Sequence, residues 1–504
     1  MKALHVGLFS LLGMASLGGA IFAATPRGGF TAKPDSTSIA ETSSSAGAAS
    51  TDTPADAAPT EQTVSEFTSG TTVKVQGHVG HPKMLKNQRG ETFLMLEVTG
   101  GDVETPPPTV ALALVIDKSG SMKDGRLENA QAAAIAAVQG LHDGDQVTVV
   151  AFDTTVQMVV PLTPIDTSSR QVLIDGIRSI RLGTDTCISC GVESALKELK
   201  RSGGTVARMI VLSDGAANNG VQDEPGFRSL GSRAQSQGVA VSTVGLGLEF
   251  NEKLMSAVSL ASNGRHYFVE NQSGLQQVFR EEAAALSQSV ANNVVAEIEL
   301  APQVELVQVF DRNFNLAGNR ISVPLGSLAR GELKTVLMKV RTPSTGSSLR
   351  GVADVRVAFT DPASKSEESC LGKLGVGLVD DAKDVSPLDP VVSDRVQRTE
   401  TASALRDANS LFSLGKVDEA RRRLSEQRAR VEAEGKAAIA NAPTNRAGSL
   451  DSDFKNQSTE LNRAEQGFAA PVAPTPARPN EGRPSPAPMI NQKRNNEQAV
   501  DMMR

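Results

Sequence analysis

The chain has no tryptophan and a single tyrosine, Tyr267, and aromatic residues make up only 3% of its 504 positions. Stacking platforms for bases or sugars are therefore scarce. No long run of one charge sign is present: 51 Lys and Arg nearly balance 57 Asp and Glu, for a formal net charge of −6. Non-specific nucleic-acid binding needs a basic footprint, and this chain lacks one. No His-Glu-x-x-His segment occurs, so a zincin-type protease has no support. His78 and His81 lie close together, yet no third or fourth zinc ligand sits near them in the chain. Gly245-Leu246-Gly247 lacks the third glycine of a dinucleotide turn. Cysteine is rare, with Cys187, Cys190 and Cys370 only. Their odd count leaves three readings of Cys187 and Cys190 open: a local bridge, two free thiols, or a redox pair at a helix start.

Hydrophobic residues form 39% of the chain, and they concentrate between about residues 71 and 380. The N-terminus has Lys2, an apolar run from Leu4 to about Ala23, and small residues at Ala20, Ala23 and Ala24. That order predicts a secretory signal over 1–24, with an uncleaved anchor as the other reading. Gly13, Gly18 and Gly19 weaken a stable spanning helix and favour cleavage. Residues 25–70 are rich in Ala, Ser, Thr, Gly and Pro, cannot offset ordering entropy by burial, and read as a disordered linker.

Alternation in 71–105 predicts a short β segment. Between 109 and 288, strand-length apolar runs at 110–116, 147–152, 209–212 and 239–244 alternate with helical periodicity at 127–141, 170–180, 191–199, 227–237, 254–260 and 275–286. Strands that look buried on both faces, separated by helices, predict an α/β doubly wound, mostly parallel sheet. From 289 to 385 the strands follow one another without helices, which predicts a β-sandwich, completed by the strands before Pro106. In that arrangement the α/β domain is an insertion between two β segments. Residues 393–438 read as a helical hairpin turning at Gly415. The Asn, Ala, Pro and Arg-rich remainder, 439–504, reads as a disordered tail.

The informative residues are Asp117-Lys118-Ser119-Gly120-Ser121, directly after the 110–116 strand. Doubly wound sheets hold ligands beyond the carboxyl ends of their strands. Gly120 allows a tight turn, so that both serine hydroxyls can face one point. Two further pieces arrive in suitable order. Thr184-Asp185-Thr186-Cys187-Ile188 offers hydroxyl and carboxylate oxygens, and Ser213-Asp214-Gly215 follows the 209–212 strand. Oxygen donors of this kind suit a hard cation.

These segments resemble those of the von Willebrand factor type A domain. Leu114-Val115-Ile116-Asp117-Lys118-Ser119-Gly120-Ser121-Met122 is similar to the first segment of that family's metal-ion-dependent adhesion site. Thr186, five residues before Gly191, matches its loop threonine, and Val211-Leu212-Ser213-Asp214-Gly215 its third segment. The resemblance implies a metal site of Asp117, Ser119, Ser121, Thr186 and Asp214, with the two carboxylates acting directly or through water. Mg²⁺ is the expected cation, and ligand type alone does not separate it from Mn²⁺ or Ca²⁺. Asp185 stands where many family members have Gly, and is expected to point into solvent. With few carboxylates on the metal, an open coordination position could accept an Asp or Glu from a partner protein.

The expected protein is exported to the periplasm, cell envelope or exterior. It is not an enzyme, and it works in divalent-cation-dependent adhesion or protein–protein interaction. Two other readings compete: a structural envelope-assembly protein with an incidental cation site, and a Mg²⁺-dependent phosphoryl-transfer enzyme using Asp117 with Lys118. The second is weakened by Ser119, which stands where an acid–base carboxylate would be wanted. A bridge between Cys187 and Cys190 would stiffen the loop carrying Thr186.

Overall fold

Four strands open the described part of the chain: β1 (Glu66–Ser69), β2 (Val73–Val79), β3 (Lys83–Leu85) and β4 (Gly90–Gly100). The structure, a computed structural model, describes residues 65–103, 107–203, 206–270, 272–345, 348–468 and 487–504. The expected signal and nearly all of the expected linker lie outside the described residues. The last residues of that linker are a correction, because Glu66–Ser69 pairs antiparallel with β2. Phe67 supplies the reason: its ring lies against Gly77 and Gly372, which have no side chains to displace it. Local sequence shows one apolar residue there; its partners come from elsewhere in the chain.

The α/β layer follows, as β5 (Val110–Asp117), α1 (Arg126–Gln139), β6 (Gln146–Phe152), β7 (Val156–Pro164), α2 (Thr167–Ser179), α3 (Ile188–Leu199), β8 (Val206–Ser213), α4 (Glu224–Ser236), β9 (Val239–Leu246), α5 (Glu252–Ala261), β10 (His266–Val269) and α6 (Gln272–Ser287). The sheet order is β10-β9-β8-β5-β6-β7, parallel except for the antiparallel β6–β7 pair. Every residue of β5, β8 and β9 is buried, as a sheet covered on both faces requires. Alternation splits β5 between two cores. Leu112, Leu114 and Ile116 pack with residues of α1, α2 and α6, whereas Ala111, Ala113 and Val115 pack with those of α3, α4 and α5. The edge strand β7 leaves Val156 and Met158 partly exposed, so it lacks the buried run that marks its neighbours.

After α6 come β11 (Ser289–Leu300), β12 (Glu305–Phe310), β13 (Asn315–Ala317), β14 (Arg320–Ala329), β15 (Leu333–Thr342), β16 (Leu349–Thr360) and β17 (Glu367–Val379). They form two sheets, β1-β2-β4-β15-β12 and β13-β14-β11-β16-β17-β3. Strands from before and after the α/β domain share both sheets and one apolar core. The α/β domain is thus inserted between β4 and β11. Arg208 near the start of β8 pairs with Glu282 in the last turns of α6 at 2.9 Å. Hence α6 returns the chain to the strand starts, and the carboxyl ends of β5 and β8 lie at the far end of the sheet.

The C-terminal region holds α7 (Pro390–Ser413), α8 (Val417–Asn441), α9 (Thr444–Gly467) and α10 (Ala487–Met503). α7 and α8 are the hairpin expected over 393–438, turning at Gly415, whereas α9 and α10 correct the disordered tail assigned to 439–504, of which 469–486 lies outside the described residues. Leu450, Phe454, Leu461, Ala464 and Phe468 are buried in the same core as Leu405, Leu424 and Val431. Their three- and four-residue spacing is that of one helix face, although the surrounding polar residues obscure it. In α10 the buried set includes Asn491, Lys493, Asn495 and Asn496, a composition that reads as solvated until partners are known. Lys493 Nζ donates to the Phe250 carbonyl at 2.5 Å and to Glu252 at 2.6 Å, tying α10 to the α/β domain. Among the described residues no helix is long and apolar enough to cross a membrane.

Candidate cation site

Three loops meet at the carboxyl end of the parallel sheet. Asp117, the last residue of β5, is fully buried. Its Oδ1 accepts the Ser119 amide at 2.8 Å, and its Oδ2 accepts the Ser213 hydroxyl at 2.5 Å. The first bond folds the chain back so that Ser119 and Ser121 present their hydroxyls 3.0 Å apart. Ser121 Oγ then donates to Asp214 Oδ1 at 2.6 Å. Asp214 is fully buried as well.

The second loop is fastened to its neighbours through backbone groups. Gly120 N donates to the Thr184 carbonyl at 2.8 Å, and Gly183 N to that of Lys118 at 2.6 Å. On the other side, Thr186 N donates to Asn218 Oδ1 at 2.7 Å, while the amides of Asn218 and Asn219 both reach the Thr186 carbonyl at 3.2 Å. Thr186 itself is buried. Gly215 shows how the pieces converge, since a Cβ there would lie 3.2 Å from Ser121 Oγ and 3.3 Å from Thr186 Oγ1. The two hydroxyls therefore lie within reach of one point above the Gly215 backbone, which a methyl group there would crowd. All five residues expected at the site, Asp117, Ser119, Ser121, Thr186 and Asp214, are brought together.

Electrostatics favour a cation in that space. Burial pushes the Asp117 carboxyl up to about 6, with the neighbouring Asp214 charge acting in the same direction against the serine hydrogen bonds. One cationic side chain faces the pair: Arg126 Nη1 donates to Asp214 Oδ2 at 2.6 Å. Two buried carboxylates against one guanidinium leave negative charge uncompensated, which is costly in a poorly solvated site. No group of three or more His, Cys, Asp or Glu able to hold a metal exists among the described residues. The donors that do converge are neutral hydroxyls with two carboxylates, a set suited to a hard cation. The residues present fit such an ion.

Lys118 is committed elsewhere. Its Nζ donates to Asp153 Oδ2 at 2.6 Å, both side chains being nearly buried. The lysine wanted for a phosphate in the phosphoryl-transfer reading is thus engaged in an internal ion pair. Asp185 is exposed, with the Asn218 side-chain amide 3.4 Å from its Oδ1. Cys187 and Cys190 are joined by a disulfide, directly after Thr186. Cys370 is a buried free thiol in the sandwich, which burial pushes above its ordinary range.

Sequence reasoning missed several residues that build the site. Ser213 stood next to Asp214, and an outward hydroxyl could have been read from its place at a strand end. Asn218 carried no local signal. Arg126 resembles any basic residue at the start of a helix, and Asp153 becomes meaningful only beside Lys118.

Residues 111–281 match the von Willebrand factor type A domain family. With this fold and these loops, the inserted α/β domain is a von Willebrand factor type A domain. The chain is 25% identical over 264 residues to an uncharacterized protein of Synechocystis sp., covering 50% of this chain and 62% of that one. It is 26% identical over 283 residues to the uncharacterized Escherichia coli protein YfbK, covering 54% and 49% respectively. The matched stretch therefore spans less than two thirds of either relative. Among solved structures, a von Willebrand factor type A protein from Catenulispora acidiphila is similar with a TM-score of 0.65 at 16% identity, over 75% of this chain and 89% of that one. The ArnB paralog VWA2 from Sulfolobus acidocaldarius is similar with a TM-score of 0.56 at 18% identity, over 78% and 98%. At such identities the likeness is one of fold.

Proposed function

We propose that this protein is an exported, non-enzymatic interaction module that captures a protein ligand through a divalent cation held by Asp117, Ser119, Ser121, Thr186 and Asp214. The carrying observation is the convergence of the Ser121 and Thr186 hydroxyls on one point above Gly215, with Ser121 bonded to the buried Asp214 and Asp117, also buried, setting the serine loop. Mg²⁺ is the favoured ion, with Mn²⁺ or Ca²⁺ as substitutes of the same donor preference. When bound, the ion supplies positive charge that its few carboxylates do not fully neutralise. The chain's own residues orient the donors: Asp117 sets the serine loop, and Asn218 holds Thr186 in place. An Asp or Glu carboxylate from the partner completes the coordination. The charged, apolar and small-residue order of 1–24 supports export to the periplasm, envelope or exterior.

The test is a pull-down from envelope extract with Mg²⁺ and with EDTA, paired with calorimetric titration of Mg²⁺. The Ser119→Ala, Ser121→Ala double variant should lose cation binding and cation-dependent capture while keeping its circular dichroism. Capture that persists unchanged in EDTA, or in the double variant, overturns the reading.

A further inference from the structure

Arg126 stands at the first turn of α1, one loop beyond the serines, and its guanidinium reaches back into the site. Besides the 2.6 Å bond to Asp214 Oδ2, Nη1 lies 3.4 Å from the Ser121 carbonyl. The arginine side chain is 36% exposed and the Asp214 side chain 0%, so the guanidinium covers the carboxylate and also meets solvent. Beside it, Gly247 leaves open room: a Cβ there would still be 4.0 Å from Arg126 Nη2. Among the described residues, no other carboxylate pairs with Arg126.

We infer that Arg126 couples the cation to an acidic ligand, making the site bind both together and select carboxylates over neutral oxygen ligands. This rests on the cation reading above. A guanidinium fixed on Asp214 already neutralises one of the two site carboxylates and repels a second positive charge. It therefore weakens the hold on a cation alone. A ligand carboxylate gains from both positive groups, because one oxygen can meet the cation while the other accepts from the planar guanidinium. A neutral amide or hydroxyl ligand gains little from the second contact. By linkage, whatever the carboxylate adds to cation affinity the cation adds to carboxylate affinity.

The experiment titrates the full chain with Mn²⁺ by calorimetry, without and with saturating acetate as a simple carboxylate probe. Wild type, Arg126→Gln, Arg126→Met and Arg126→Lys are compared at matched ionic strength. The two neutral variants should bind Mn²⁺ roughly tenfold tighter than wild type when acetate is absent, the order expected from removing one nearby partly exposed charge. Acetate should tighten Mn²⁺ binding in wild type and have little effect in either neutral variant. Arg126→Lys should keep the weak wild-type affinity for Mn²⁺ alone, since it keeps the charge. Neutral variants that bind Mn²⁺ no more tightly than wild type, or that keep the acetate effect, overturn the inference and leave the cation reading standing. Wild type that binds no Mn²⁺ with or without acetate overturns the cation reading itself. Two neutral variants are used so that the outcome does not hang on the folding of one.

Discussion

Lys118 Nζ and Asp153 Oδ2 are 2.6 Å apart in a nearly dry pocket, linking the loop after β5 to the turn between β6 and β7. Asp153 Oδ1 also accepts the amide and hydroxyl of Thr155, and its carboxylate fills the space beside Gly183. One carboxylate thus braces both the serine loop and the loop that leads to Thr186. Asp153→Asn removes the negative charge and leaves Lys118 buried without a counter-ion. A loss of roughly 3–5 kcal/mol is expected for breaking one side of a buried pair. Denaturant unfolding of the isolated substitution against wild type measures it, and a change under 1 kcal/mol would mean that Lys118 finds water instead.

Gly215 offers a cleaner probe of the cation space. Its backbone lies outside the left-handed region, so alanine is conformationally allowed. The added methyl would crowd Ser121 Oγ at 3.2 Å and Thr186 Oγ1 at 3.3 Å. Gly215→Ala should weaken Mg²⁺ binding by roughly tenfold or more, the scale seen when groups supporting metal ligands are disturbed. Thermal unfolding should barely change. Calorimetry of Mg²⁺ alongside a melting curve separates the two effects.

Glu282 provides a contrasting case away from the cation. It is fully buried on α6, where Arg208, Ser242 and Tyr267 hydrogen-bond it at 2.9, 2.7 and 2.6 Å. Burial pushes its carboxyl up, but the Arg208 charge and the two hydroxyls outweigh that and hold it below the ordinary range. Glu282→Ala strands the Arg208 charge and should cost roughly 3–5 kcal/mol. Mg²⁺ affinity measured on the remaining folded protein should match wild type, because these groups sit at the opposite end of the sheet.

A pH effect is expected at the C-terminal helix. Glu497 on α10 accepts the Phe268 amide at 3.0 Å. Burial, aided by Asp501, raises its pKa to about 7 despite that bond. With the folded value above the ordinary one, folded protein holds the extra proton between about pH 4.5 and 7. Docking of α10 is therefore strongest on the acid side and weakens as pH rises through about 7. Hydrogen exchange of α10 amides at pH 5.5 and 8, corrected for intrinsic rates, should show protection falling. Glu497→Gln should remove that difference; an unchanged slope in the variant would point to another group.

Local pattern determined the alternation of buried strands and helices, the insertion of the α/β domain between β segments, and the Asp117 to Ser121 turn after a strand, while the family resemblance pointed to Thr186 and Asp214 as further oxygen donors. These were legible because burial on both faces writes continuous apolar runs, and because Asp117, Ser119 and Ser121 are held by a turn a few residues long. Tertiary structure alone decided that Thr186 and Asp214 would meet them, that Lys118 would serve Asp153, and that Arg126 would cap Asp214. Those pairs lie tens of residues apart, and nothing in the local chain distinguishes Asp153 or Arg126 from solvated polar residues. The same holds for α10, whose asparagines and lysine are buried only because Phe250, Glu252 and Asn409 supply their partners. A polar side chain shows its place in a fold through the group that satisfies it, and that group is chosen by packing at a distance.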